Sequence, residues 1–206
     1  LFTYKELWNT DESKMILVAA VDKTVLDKWR GVFNNAGIYI EAYDLESQAV
    51  FRGLLKGEVK ESVAVIDLGE EVTTLSLFGE GGLFYSQLIP FAGDEIDAEI
   101  SSQHGISVEL ARNKKLENGL DQADHKTFIA ITKTLEEITD EVKKTFSYFK
   151  SKNKYIPKKV IIVGSDSGIR GLDEYFSLNL GVPSEIGKSV YPSLEGKYGY
   201  IEAAGL

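Results

Sequence analysis

Apolar positions along this chain switch between continuous short runs, alternation and helical spacing. The run Met15-Ile16-Leu17-Val18-Ala19-Ala20 predicts a buried strand over 14–20. Asp22 follows as an N-cap, and Val25, Leu26, Trp29, Val32 and Phe33 fall at helical spacing until Gly37 ends the pattern. Ile38 and Ile40 then alternate with Tyr39 and Glu41, which predicts a second strand over 38–43. A helix is predicted over 45–55. The polar, charged stretch 57–61 reads as a hinge dividing 1–58 from 59–206. The first part is expected to be a small α+β unit built on strand–helix–strand.

The second part has a different rhythm. Strands are predicted over 63–68, 72–78 and 83–89, with short connections that imply an antiparallel meander. Gly79-Glu80-Gly81-Gly82 is a turn cluster. Pro90 and Gly93 break the chain, and Asp94 opens a helix carrying Ile96 and Ile100. Ser107 caps a further helix over 108–115. Over 126–149 a long helix keeps Ile129, Leu135, Ile138, Val142, Phe146 and Phe149 roughly on one face, as core packing requires. The unbroken apolar strand at 160–163 suits a sheet covered on both sides. A loop of small residues, Gly164-Ser165-Asp166-Ser167-Gly168, leads to a helix over 172–180 closed by Gly181. This order is α/β and ribonuclease-H-like.

Composition narrows the chemistry. With 43% apolar residues in 206, the chain can bury a core, but no run of about 18 apolar residues exists to span a membrane. A net charge of −9 repels phosphate backbones and weighs against nucleic acid as a partner. The lysines between 150 and 159 read as a solvated loop. There is no cysteine, which excludes disulfides, thiol catalysis and Cys-ligated metals. The two histidines, His104 and His125, lack metal-ligand spacing.

Two segments carry candidate chemistry. In DLGEEVTT, Asp67 closes a strand at a turn, where a carboxylate can hold a hydrated Mg²⁺. Gly69 lets a phosphate approach the backbone and Thr73 offers a hydroxyl. The same Asp and Gly equally serve an ordinary hairpin turn. In VIIVGSDSGIRG, Gly164 and Ser165 leave room for a flat ring beside the backbone.

Together these segments resemble the second phosphate motif and the adenosine motif of the actin/Hsp70/FtsA superfamily. Between them, IPFAGDEIDAEI and HGISVELARNKK resemble its glycine-pair segment and its nucleotide-contacting helix. The resemblance implies an actin-like ATPase fold binding ATP and Mg. Asp67 would organise the metal, and Gly69, Thr73, Gly93, Lys115, Gly164 and Ser165 would line the nucleotide. No residue is assigned a catalytic role. The stretch from Ile16 to Leu55 and the ending YIEAAGL resemble the PilM family of type IV pilus assembly. That family is a cytoplasmic scaffold, peripheral at the inner-membrane face. It docks the N-terminal peptide of a PilN-like membrane protein and links it to the pilus motor ATPases. The first ~57 residues would supply part of the peptide groove. Trp29 and Tyr39 are candidates for it, with core packing the favoured role for Trp29.

The chain departs from the superfamily pattern in places. The first phosphate motif, D-x-G-x-x-x-x-K, has no counterpart, so the chain is expected to hold the second half of the fold. The glycine pair is Ala92-Gly93, the helix's Glu is Arg112, and the adenosine motif's Gly-Gly is Gly164-Ser165. These changes weigh against the second reading, an active FtsA- or Hsp70-type ATPase. A third, a ribonuclease-H-fold nuclease, needs several acids converging on two metals.

Overall fold

The computed structural model describes residues 2–9, 14–54, 61–191 and 200–206. Its centre is a five-stranded sheet. β3 (Val63–Leu68), β4 (Thr73–Gly79) and β5 (Gly82–Ile89) form the expected antiparallel meander. β6 (Lys159–Val163) then lies parallel to β3, and β7 (Ser184–Ile186) parallel to β6. The strand order is β5-β4-β3-β6-β7. This is the α/β, ribonuclease-H-like layout the sequence predicts.

Strand periodicity of two sorts the side chains onto two faces. Ala64, Ile66 and Leu68 of β3, Leu75 and Leu77 of β4, and Val160 and Ile162 of β6 enter one core. Phe84 and Ile89 of β5 and Ile169 join it, and four helices cover it: α3 (Gly93–His104), α4 (Val108–Asn118), α5 (His125–Asn153) and α6 (Leu172–Leu180). On α5 the buried stripe is Ile131, Leu135, Ile138, Val142 and Phe149, whereas Ile129 is exposed and Phe146 only half-buried. Ser107 caps α4 as expected, its hydroxyl accepting from the Leu110 amide.

The opposite face carries Val63, Val65, Phe78, Ile161 and Val163. Against it pack α2 (Glu46–Leu54), through Val50, Phe51 and Leu54, and the short α7 (Ile201–Gly205), through Ile201. Phe51 stacks on the fully buried Phe78, with centroids 4.0 Å apart. A Cβ on Gly53 would lie 2.2 Å from the Ile201 carbonyl oxygen, so the two helices meet backbone to backbone. α2, grouped by sequence with the first part of the chain, thus packs on the sheet of the second.

The start of the chain folds as an antiparallel hairpin, β1 (Phe2–Asn9) with β2 (Lys14–Ala20), followed by α1 (Lys23–Asn35). Asp22 caps α1 as predicted. Residues 38–43 form no strand, contrary to expectation. Their alternation is present, but a strand also needs a paired edge, and β2 takes β1 as its partner in a two-stranded sheet. The predicted hinge 57–61 lies, apart from Glu61, outside the described residues. Among the described residues no helix is long and apolar enough to cross a membrane.

Candidate functional site

Parallel pairing of β3 with β6 brings the two predicted motifs side by side, with Asp67 opposite Val163. Asp67 is an odd-numbered position like Val63 and Val65, so its side chain faces α2 and α7. There it lines a cavity of about 10 Å³, room for roughly one water, with Glu46, Ser47, Thr74 and Ser76. Three hydroxyls close the neighbouring wall: Ser47 and Ser76 are 2.8 Å apart, Ser47 and Ser86 3.0 Å, and Ser76 and Ser86 3.2 Å. Burial first, then the negative charges of Glu46 and Glu202, push the Asp67 carboxyl up to about 7. Burial and then Glu202 also raise Glu46.

The remaining predicted residues divide between this side and the other. Gly164, at φ +98°, lies against Asp67: a Cβ there would meet Asp67 Oδ1 at 2.5 Å and the Leu68 carbonyl oxygen at 2.3 Å. Ser165 follows, exposed, at the start of a single 3-10 turn. The Gly69 amide donates to the Val72 carbonyl at 3.2 Å, closing a tight turn. Carbonyls of that turn accept from the first amides of α3: Gly93 to Gly69 at 3.0 Å and Asp94 to Glu70 at 2.8 Å. Thr73 pairs with Leu68, one register place from Asp67, and so faces the other core. It is fully buried, and its hydroxyl donates to the Phe91 carbonyl at 2.7 Å. Thr74, not Thr73, stands across from Asp67.

Lys115 is also fully buried. Its ammonium lies 2.9 Å from Asp97 Oδ1 and 2.7 Å from Asp166 Oδ1, and donates to the Gly93 carbonyl at 3.4 Å. The Asp97 contact is an ion pair off the hydrogen-bonding direction. At the surface Arg112 joins the cluster, reaching Asp97 at 3.1 Å, Asp94 at 3.3 Å and Glu70 at 3.5 Å. The hydrogen bond that Arg112 donates to Asp97 is the main cause that raises the Arg112 pKa. Burial raises Asp166, with Lys115 opposing the rise.

Sequence reasoning missed Glu46, Glu202, Asp97 and Asp166. Asp97 carried a signal: Gly93, Asp97 and Ile100 fall at helical spacing on the inner face, as Ala111 and Lys115 do on α4. Glu46 carried none, since an acid in a helix's first turn ordinarily answers the dipole.

A hydrated divalent cation beside Asp67 would offset the burial and the negative charges of Glu46 and Glu202 that raise its carboxyl. No three His, Asp or Glu side chains among the described residues converge as joint direct ligands. A cation there would therefore complete its shell with water or ligand oxygens. Bound in that way it would neutralise phosphate charge.

A five-stranded sheet of this order, with two loops meeting at the ends of β3 and β6, defines an actin-like ATPase fold. Solved structures agree. The PilM–PilN type IV pilus biogenesis complex superposes with a TM-score of 0.79 at 18% identity, covering 100% of this chain and 65% of that one. MreB5 of Spiroplasma citri bound to ADP gives 0.70 at 17% identity, covering 91% and 65%. Residues 4–193 match the family described as Type IV pilus assembly protein PilM, and the chain belongs to that family. Among curated relatives, cell division protein FtsA of Agrobacterium fabrum (strain C58 / ATCC 33970) is 25% identical over 189 residues, covering 76% of this chain and 41% of FtsA. FtsA of Bacillus subtilis (strain 168) is 34% identical over 98 residues, covering 47% and 22%. The chain spans less than half the length of these curated relatives.

Proposed function

We propose that this chain is part of a cytoplasmic scaffold of type IV pilus assembly, peripheral at the inner-membrane face, which docks the N-terminal peptide of a PilN-like membrane protein. The observation that carries the reading is the apolar surface of its first 45 residues. On the hairpin, Phe2, Tyr4, Ile16 and Val18 are exposed. On α1 only Leu26 is buried, while Val25, Trp29 and Val32 fall at helical spacing and stand in solvent, Trp29 at 55%. Tyr39 is 83% exposed. So many exposed large apolar groups in one unit mark an interaction surface. Cytoplasmic tails of inner-membrane proteins are enriched in Lys and Arg, which complements a chain of net charge −9.

The test is a calorimetric titration of a synthetic peptide with the sequence of the partner's cytoplasmic tail. Saturable micromolar binding is expected, weakened at least tenfold by Trp29→Ala with unchanged circular dichroism. Absence of binding at millimolar peptide sinks the reading. Contacts with the pilus motor ATPases belong to the same proposal and rest on family membership alone.

We further propose that the cleft between the 69–72 turn and the 164–168 loop accepts Mg-ATP. Asp67 and Glu46 would hold the hydrated cation and the exposed Ser165 would border the ligand; Gly69 and Gly164 pack against Val72 and Leu68, and the space over Gly93 holds the Asp166 carboxylate. The ADP-bound MreB5 neighbour supports this reading through shared fold.

A further inference from the structure

One carboxylate beside the proposed nucleotide site is buried and incompletely hydrogen-bonded. Asp166 is the third residue of the Gly164-Ser165-Asp166 loop and is 4% exposed. Its Oδ2 lies 1.6 Å from where a Cβ of Gly93 would stand, so the side chain fills the space that glycine leaves open. Its Oδ1 sits 2.7 Å from Lys115. Oδ2 is buried and has no hydrogen-bond partner, which leaves this acid poorly satisfied. Lys115 is fully engaged, by Asp97, Asp166 and the Gly93 carbonyl, and offers nothing to an incoming ligand.

We propose that Asp166 is the determinant of what this cleft admits: its carboxylate occupies the gap over Gly93, holds Lys115 inward, and excludes nucleoside polyphosphates until it is displaced. The proposal rests on the reading of the cleft as a nucleotide site. Two physical effects act together. The side chain takes up volume beside Gly93, and its charge repels phosphate, with Glu70 and Glu71 of the facing turn adding to the same sign. Nucleotide entry and the Asp166–Lys115 pair are then mutually exclusive. When Asp166 leaves, Lys115 becomes the cation that meets the ligand.

The experiment is calorimetric titration of Mg-ATP and Mg-ADP into the native chain, Asp166→Gly and Asp166→Asn, each checked for folding by circular dichroism. Asp166→Gly is expected to bind at least tenfold more tightly than native. Asp166→Asn keeps the volume, removes the charge and leaves Lys115 an acceptor, so it carries the same test where the glycine variant does not fold. It is expected to bind more tightly than native, by less than the glycine variant. Adding Lys115→Met to either variant is expected to abolish the gain, which a merely structural role for Asp166 does not predict. Native and variant proteins binding equally well would overturn the exclusion and leave the nucleotide site standing. Failure of all of them to bind at millimolar nucleotide would remove the nucleotide reading, and the exclusion with it.

Discussion

Two acidic centres lie at the ends of neighbouring parallel strands, and they are handled in opposite ways. After β6, Asp166 and Asp97 close on a buried lysine, so the protein supplies the cation itself. At the end of β3, burial and the negative charges of Glu46 and Glu202 push the Asp67 carboxyl up to about 7. The first centre is a fixed bolt tying α3, α4 and the 164–168 loop together. The second is left for a proton or a bound cation to neutralise. Acids buried in one fold thus divide into those that build it and those that can respond to what surrounds it.

The strongest way to break this contrast is Lys115→Met. It removes the internal cation and leaves the buried Asp166 facing no positive charge. Breaking a buried pair in this way costs about 3–5 kcal/mol. Urea unfolding near neutral pH measures it, and a loss below about 1 kcal/mol would mean the cluster does not hold the helices together.

Next in size is Asp67→Asn. Asp67 titrates higher in the folded protein than its ordinary 3.8, so folding takes up a proton between these values. Stability from this group is therefore fully present below its unfolded pKa and is lost as pH rises from about 4 to about 7. The rise from 3.8 to about 7 sets a ceiling of about 4 kcal/mol on that loss. Asn carries no charge, so the variant is expected to be about 2–4 kcal/mol more stable than native at pH 8 and to have no advantage at pH 4. Magnesium should narrow the gap at pH 8 by stabilising the native carboxylate. A gap independent of pH would show that Asp67 is not the titrating group.

Much of this arrangement was legible in the sequence, and the misses have definite causes. Strands β3 to β6 and the helices α2 to α6 followed from apolar spacing and turn residues, because packing on both sides of a sheet leaves strong patterns, whereas β7, α7 and the 3-10 turn did not. The motif names Thr73 without fixing its face of the sheet, and strand pairing sets Thr74 opposite Asp67. The strand expected over 38–43 failed because alternation says nothing about whether an edge is free to pair. Glu202 lies more than a hundred residues from Asp67, and only the docking of α2 with α7 brings it near. Long-range electrostatics of that kind leave no local pattern to read.

The smallest effect sharpens the comparison most, because it asks what raises Asp67. Burial is the largest cause, Glu46 the next and Glu202 the third. Glu46→Gln should therefore lower the Asp67 midpoint more than Glu202→Gln does, each by less than about one pH unit. Both residues keep contact with solvent, which screens their charges, and the remaining rise comes from burial of Asp67. Carbon-13 NMR of the aspartate carboxyl carbons follows the titration directly. Raising salt should shrink both differences while leaving the burial contribution in place. If the two glutamine variants leave the midpoint unmoved, Asp67 is raised by desolvation alone and no acidic cluster exists for a cation to neutralise. If Glu46→Gln moves it further than Glu202→Gln, and added magnesium then shifts the variant less than the native chain, Glu46 and Asp67 share the cation.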